Sequence, residues 1–193
     1  MTRAVLLAAA LFLVAASAVR AGYDEGMAAY QRGDFVTAAN EFLPLARDGD
    51  VRAQRNLGYL YEKGKGVPQD HREAVSWYRK AAEKGDPKAQ FNLAIMYFNG
   101  DGIVRNYRQA AAWFRKAADQ GHTKAQYSLG SMASTGRGIL TDVVEAYLWF
   151  SLASRSGDKG ATYALRRLVK RMTPAQIDRA RRMIQKWLDE RDR

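Results

Sequence analysis

Few side chains in this chain are of the kinds that do chemistry, and their spacing gives them little to do together. There are two histidines and no cysteine. The missing cysteine removes thiolate nucleophiles, sulfur-ligated metals, disulfides and a lipid-modified N-terminus. His71 and His122 have no serine, carboxylate or cysteine partner at motif spacing, so surface and capping roles are expected instead of metal or catalytic ones. Ser156-Gly157-Asp158-Lys159 fits the Ser-x-x-Lys pattern of penicillin-interacting enzymes, in which the serine is the nucleophile. Neither Lys-Thr-Gly nor Ser-Asp-Asn accompanies it, which makes the match a chance one. Gly64-Lys65-Gly66, Gly100-Asp101-Gly102 and Gly136-Arg137-Gly138 each precede a helical pattern, as phosphate-cradling loops do. They lack the longer glycine fingerprint and recur like punctuation. No enzyme is expected, and no cofactor or metal.

The recurrence is the organising fact. Shifted by 36 residues, the chain meets itself: Ala53-Gln54, Ala89-Gln90 and Ala125-Gln126 align, as do Leu57, Leu93 and Leu129. Ala74, Ala110 and Ala146 follow, then Trp77, Trp113 and Trp149, and finally Gly85, Gly121 and Gly157. A period of this length marks stacked helical units. In each unit Ala53, Leu57, Leu60 and Tyr61, or their equivalents, lie on one face of a first helix that a glycine ends. A second helix opens at capping-box spacing, Asp70 with Glu73, Asn106 with Gln109, Asp142 with Glu145. Its apolar face is typified by Ala74, Trp77, Tyr78 and Ala81. Asp86-Pro87 restarts the cycle as N-cap and first helical residue.

These residues resemble the Sel-one-like repeats (SLR), relatives of the tetratricopeptide repeats. The likeness rests on the Ala-Gln start, the Leu-Gly pairs Leu57-Gly58 and Leu129-Gly130, the Gly-x-Gly loop, and the tail Ala74-x-x-Trp77-Tyr78-x-x-Ala81-Ala82-x-x-Gly85. It covers three full units, 51–86, 87–122 and 123–157. The resemblance implies an all-α fold, a right-handed solenoid of stacked antiparallel helix pairs, and an adaptor with protein partners. Some disulfide-rich relatives are linked with β-lactam binding, but their cysteines are absent here.

Residues 1–21 look like a secretory signal, with Arg3 at the positive end and an apolar run from Ala4 to Ala18. Cleavage is expected before Gly22, with Ala16-Ser17-Ala18 as the other site. The run is shorter than the roughly 20 apolar residues that span a membrane. A periplasmic location fits best, on the resemblance. Residues 22–50 read as an N-terminal helix pair that caps the array, with Gly49 in phase with Gly85. Past Gly157 the phase continues through Ala161 and Leu165. Thr173-Pro174-Ala175-Gln176 then starts a helix whose stripe of Ile177, Ala180, Ile184, Trp187 and Leu188 should close the open end of the core. Residues 158–193 thus read as a basic C-terminal cap.

Net charge is +11, and residues 158–193 carry eleven basic against five acidic side chains. The cap could attract anionic lipid, acidic polysaccharide or an acidic protein patch through Arg166, Arg167, Lys170, Arg171, Arg179, Arg182 and Lys186, or simply keep the end soluble. Nucleic acid is not expected, because the bases lack an interleaved aromatic platform. The remaining surface is the first-helix face, expected to be concave. There the residues change from unit to unit: Arg55, Phe91 and Tyr127; Tyr59, Ile95 and Ser131; Glu62, Phe98 and Ser134. Such a stripe can read a particular partner, and Phe91, Ile95 and Phe98 form its apolar centre unless they are buried between units. Ala133 stands where Tyr61 and Tyr97 stand, so a groove is expected beside Ser128, Ser131 and Ser134. The chain therefore reads as an exported, monomeric scaffold or regulator of an envelope protein or peptide. The alternative is a peptidoglycan- or β-lactam-interacting protein.

Overall fold

The computed structural model describes residues 22–191, so the signal-like segment 1–21 lies outside the described residues. All regular structure among them is helical. The chain divides at Lys84–Gly85 into two compact units. The first holds α1 (22–31), α2 (Phe35–Arg47), α3 (Val51–Lys63) and α4 (His71–Glu83). The second holds α5 (Pro87–Asn99), α6 (Tyr107–Asp119), α7 (Thr123–Thr135), α8 (Val143–Arg155), α9 (Lys159–Val169) and α10 (Pro174–Arg191).

In both units each helix packs most closely on its hairpin partner: α3 on α4, α5 on α6, α7 on α8. The second helix of one repeat then carries the first helix of the next, as α6 carries α7 and α8 carries α9. Small residues make that closeness possible. Ala53, Ala81, Ala89, Ala117, Ala125 and Ala153 are all fully buried. A Cβ at Gly58 would come within 2.8 Å of the Tyr78 ring, and one at Gly130 within 2.8 Å of Phe150. The Leu-Gly pair is therefore a seat for the aromatic ring of the second helix.

The glutamine of the Ala-Gln start has an equally local cause. Gln54 and Gln126 are buried, and their amides donate to the Ala46 and Ala118 carbonyls at 2.9 and 3.2 Å. They add a side-chain donor to carbonyls at the C-terminal end of the preceding helix, which also accept from the Gly49 and Gly121 amides.

Capping follows the sequence. Asp50, Asp86 and Asp158 accept from the amides of Ala53, Ala89 and Ala161 at 2.7–2.9 Å. Thr173 and Gln176 form a complete reciprocal box. Glu145 departs from the expected box, since its carboxylate takes the Trp149 indole at 3.1 Å and the Arg115 guanidinium. That arrangement ties α6 to α8. The Gly-x-Gly loop is also explained: Gly136 ends α7 at φ 72°, and a side chain on Gly138 would collide with the Tyr107 carbonyl.

The C-terminal cap departs from expectation. The open end of the second unit is covered by α9, through buried Ala161 and Leu168. Helix α10 instead lies back over α8. Met183, Ile184, Trp187 and Leu188 pack on a cluster that includes Phe114, Trp149 and Leu152. The short turn at 170–173 reverses the chain, so the stripe meets the second-helix layer and not the exposed end.

Candidate functional site

In the first unit the expected partner-binding residues are half-buried and engaged. Tyr59 lies with its ring 6.2 Å from that of Tyr30. Burial and then a hydroxyl hydrogen bond with Tyr59 push the Tyr30 phenol above its ordinary value. Arg55 lies on the same helix, half-buried. Glu62 accepts from the Tyr78 hydroxyl at 2.7 Å and pairs with Lys63. The polar groups of this face are satisfied within the unit.

The second unit differs. Ile95, Phe98, Phe114, Tyr127, Ser128, Ser131 and Met132 line a cavity of about 120 Å³ between α5 and α7. Phe114 and Met132 are buried beneath it, Tyr127 is 38% exposed at its edge, and the two serines give it a polar side. The Ser128 hydroxyl donates to the Lys124 carbonyl at 2.9 Å. Arg137 reaches over the Phe98 ring at 5.5 Å. The geometry suits one apolar side chain flanked by hydroxyls.

Of the expected residues, Ile95, Phe98, Tyr127 and Ser131 meet at this cavity. Phe91 does not line it. Its ring is held between Phe114 at 5.6 Å and His122 at 4.7 Å, so it supports the wall from behind. The expected groove exists beside Ser128 and Ser131, but Ala133 is not its cause. Ala133 is fully buried on the other side of α7, in a cluster with Phe150. Tyr147, which stands where Val75 and Ala111 stand, packs in that same cluster. The missing ring is thus made good from the facing helix.

His122 caps α7, its Nδ1 accepting from the Ala125 amide at 3.2 Å. Burial holds its pKa below the ordinary histidine value, and the nearby Lys124 and Lys88 act the same way, against Asp86. Burial likewise raises the Asp119 carboxyl, with Arg115 opposing and Glu145 adding. His71 opens α4 and brings no partner set with it. Ser156 and Lys159 are exposed on the turn between α8 and α9, where Ser156 serves as C-cap. Among the described residues no group of three or more side chains could hold a metal ion.

Arg166, Arg167, Lys170, Arg171, Arg179, Arg182 and Lys186 are all exposed, and they are divided between two helices. The first four belong to α9 and its end; Arg179, Arg182 and Lys186 sit on α10, where Lys186 stands 3.8 Å from Glu190. One exposed aromatic stands among the bases, short of an interleaved platform. Tyr163 is 64% exposed on α9, with the Arg167 guanidinium 5.8 Å from its ring centre. Its signal was in the sequence: it falls one period after Tyr127, in a helix whose loop no longer matches the repeat.

Comparison with known proteins decides the family. The Sel1 repeat is matched at residues 51–86, 87–122 and 123–158. The chain belongs to the Sel1 repeat family. Its Sel1 repeats are similar in structure to a protective antigen of uropathogenic Escherichia coli that displays an SLR fold (37% identity, TM-score 0.74, covering 79% of this chain and 33% of that one). They are also similar to a Sel1 repeat protein from Oxalobacter formigenes (36% identity, TM-score 0.71, 74% and 59% covered). The chain thus spans about a third and three-fifths of these two structures. Cysteine-rich protein B of Helicobacter pylori shares the fold alone, at 20% identity, TM-score 0.54, and 67% and 96% covered. No curated protein matches. Sel1 repeats typically mediate protein–protein interaction and form a scaffold that is generally non-enzymatic.

Proposed function

We propose that this Sel1 repeat protein is an exported scaffold or regulator that holds a peptide segment of an envelope protein on the first-helix face of its second unit. The observation that carries this reading is the cavity between α5 and α7. It is apolar at its base, hydroxyl-bearing at one side and open to solvent, on the face where residue types vary between repeats. Shape and burial there favour a side-chain anchor from a partner, in the way hot spots cluster in desolvated pockets. Export rests on the signal-like run of residues 1–21, and the protein acts without turnover, as a monomer.

The test is site-specific photo-crosslinking in cells, with the photoreactive residue at Ser131 and, separately, at Arg179 on α10. An adduct with one protein from Ser131, lost when Ile95 is changed to aspartate, is the expected result. Adducts from Arg179 alone would move the functional surface to the basic helix and overturn the docking face. Fractionation with N-terminal sequencing addresses export separately: a periplasmic chain beginning at Gly22 is expected, and a cytoplasmic chain keeping residues 1–21 would refute it.

A further inference from the structure

The cavity is one end of a longer surface. One period beyond Tyr127, Ser131 and Ser134 stand Tyr163, Arg167 and Lys170, all exposed on α9 or at its end. Two contacts make the surface continuous. A Cβ at Gly160 would lie 3.5 Å from the Tyr127 ring, so the start of α9 abuts that tyrosine. Arg167 in turn leans toward Tyr163. The face therefore runs from apolar (Ile95, Phe98) through hydroxyls (Ser128, Ser131) to an aromatic flanked by cations. The carboxylate at the start of α9, Asp158, caps that helix, nine residues before Arg167. Arg137 beside Phe98 adds a further cation at the apolar end.

Resting on the docking reading above, we propose that the segment bound here carries an apolar residue and an acidic run in a fixed order: the apolar side chain fills the cavity, and carboxylates lie over Arg167 and Lys170. The reason is complementarity. Exposed cations on this face penalise a basic ligand and hold carboxylates by charge-assisted hydrogen bonds. Guanidinium groups suit carboxylates better than ammonium does, since the fork matches both oxygens. The spacing follows from helix packing. Helices side by side stand roughly 8–10 Å apart, so the cavity between α5 and α7 lies roughly 14 Å from α9. An extended chain rises about 3.3 Å per residue, which puts the acidic run roughly four residues from the anchor.

The experiment uses the full-length protein and fluorescent synthetic peptides with one leucine and a run of aspartates, separated by roughly four glycine and serine residues. Fluorescence anisotropy should show binding that weakens about tenfold when the aspartates become lysines, and about tenfold when the leucine becomes glycine. The double variant Arg167→Glu, Lys170→Glu should reverse the charge preference, because both side chains are exposed and their change leaves the fold intact. Ser131→Leu should fill the cavity and remove the leucine dependence while leaving the charge preference in place. Equal binding of aspartate and lysine peptides, or a charge reversal without effect, would overturn the inference. If the Ser131 crosslink forms in cells while the aspartate peptides show no preference, the docking face stands and its acidic partner does not.

Discussion

The first-helix faces of the two units are built on the same repeat but end in opposite states. In the first unit Tyr78 points a hydroxyl at Glu62, and the pair is closed at 2.7 Å. In the second, Phe114 takes the tyrosine's position and Phe98 the glutamate's, and both rings face a cavity. The third repeat has Phe150 and Ser134 at these places. Two substitutions per repeat thus decide whether a position is internally satisfied or left for something else to satisfy. The backbone is indifferent to the choice, since the buried alanine contacts are the same in each. The difference between the two faces is therefore written in a few side chains laid over a frame of contacts that repeats along the chain.

The sharpest way to break the comparison is to remove the second unit's aromatic floor. Phe114 is almost fully buried against Phe91, and Phe114→Ala should cost about 3–5 kcal/mol, with a large fall in melting temperature by circular dichroism. A shift of less than ~1 kcal/mol would mean that the ring is not core and that the cavity can rearrange freely. A smaller effect sharpens the comparison in the first unit. Tyr78→Phe leaves the Glu62 carboxylate without its hydroxyl donor and should cost about 1–2 kcal/mol. The double variant Tyr78→Phe, Glu62→Phe copies the second unit's pair and should recover most of that loss. A chemical-denaturation cycle reads this directly. Additive losses would show that the two side chains do not act as a pair.

Much of the frame was legible in the sequence because it repeats. Ala53-Gln54, the Leu-Gly pairs and the Gly-x-Gly loops are local solutions to close packing and helix termination, and a fixed period exposes them. The cavity was half legible. Ile95, Phe98, Tyr127 and Ser131 were reachable from the variable stripe, yet the reason assigned to the groove was wrong. Ala133 and Tyr147 exchange size across a helix hairpin, and no single-helix pattern shows that. The packing of Phe91 against Phe114 and His122 was not legible in the stripe, because those two come from other helices. The ends were least legible: α10 follows an amphipathic pattern that fixes which face is buried but not against what. Only the turn at 170–173 settles that it returns over α8.

The finest test concerns the junction that holds Phe91. His122 occupies the place taken by Asp50, Asp86 and Asp158, and it caps only while its Nδ1 is unprotonated. Its folded pKa lies below the ordinary value near 6.5, chiefly through burial and then through Lys124 and Lys88, with Asp86 opposing. The sign follows. Above the ordinary value both states are neutral and His122 adds no pH dependence. As pH falls through that value the unfolded chain takes up a proton that the folded chain resists, so stability is lost, and the loss levels off only below the folded pKa. Asparagine caps a helix as well as aspartate does and does not titrate in this range. His122→Asn should therefore flatten the fall in stability between neutral and mildly acidic pH, by up to about 1 kcal/mol, while changing neutral stability by less. Melting curves across that pH range check it. An unchanged slope would show that protonated His122 is tolerated at the cap, and that the stacking on Phe91, not the hydrogen bond to Ala125, is what the histidine supplies.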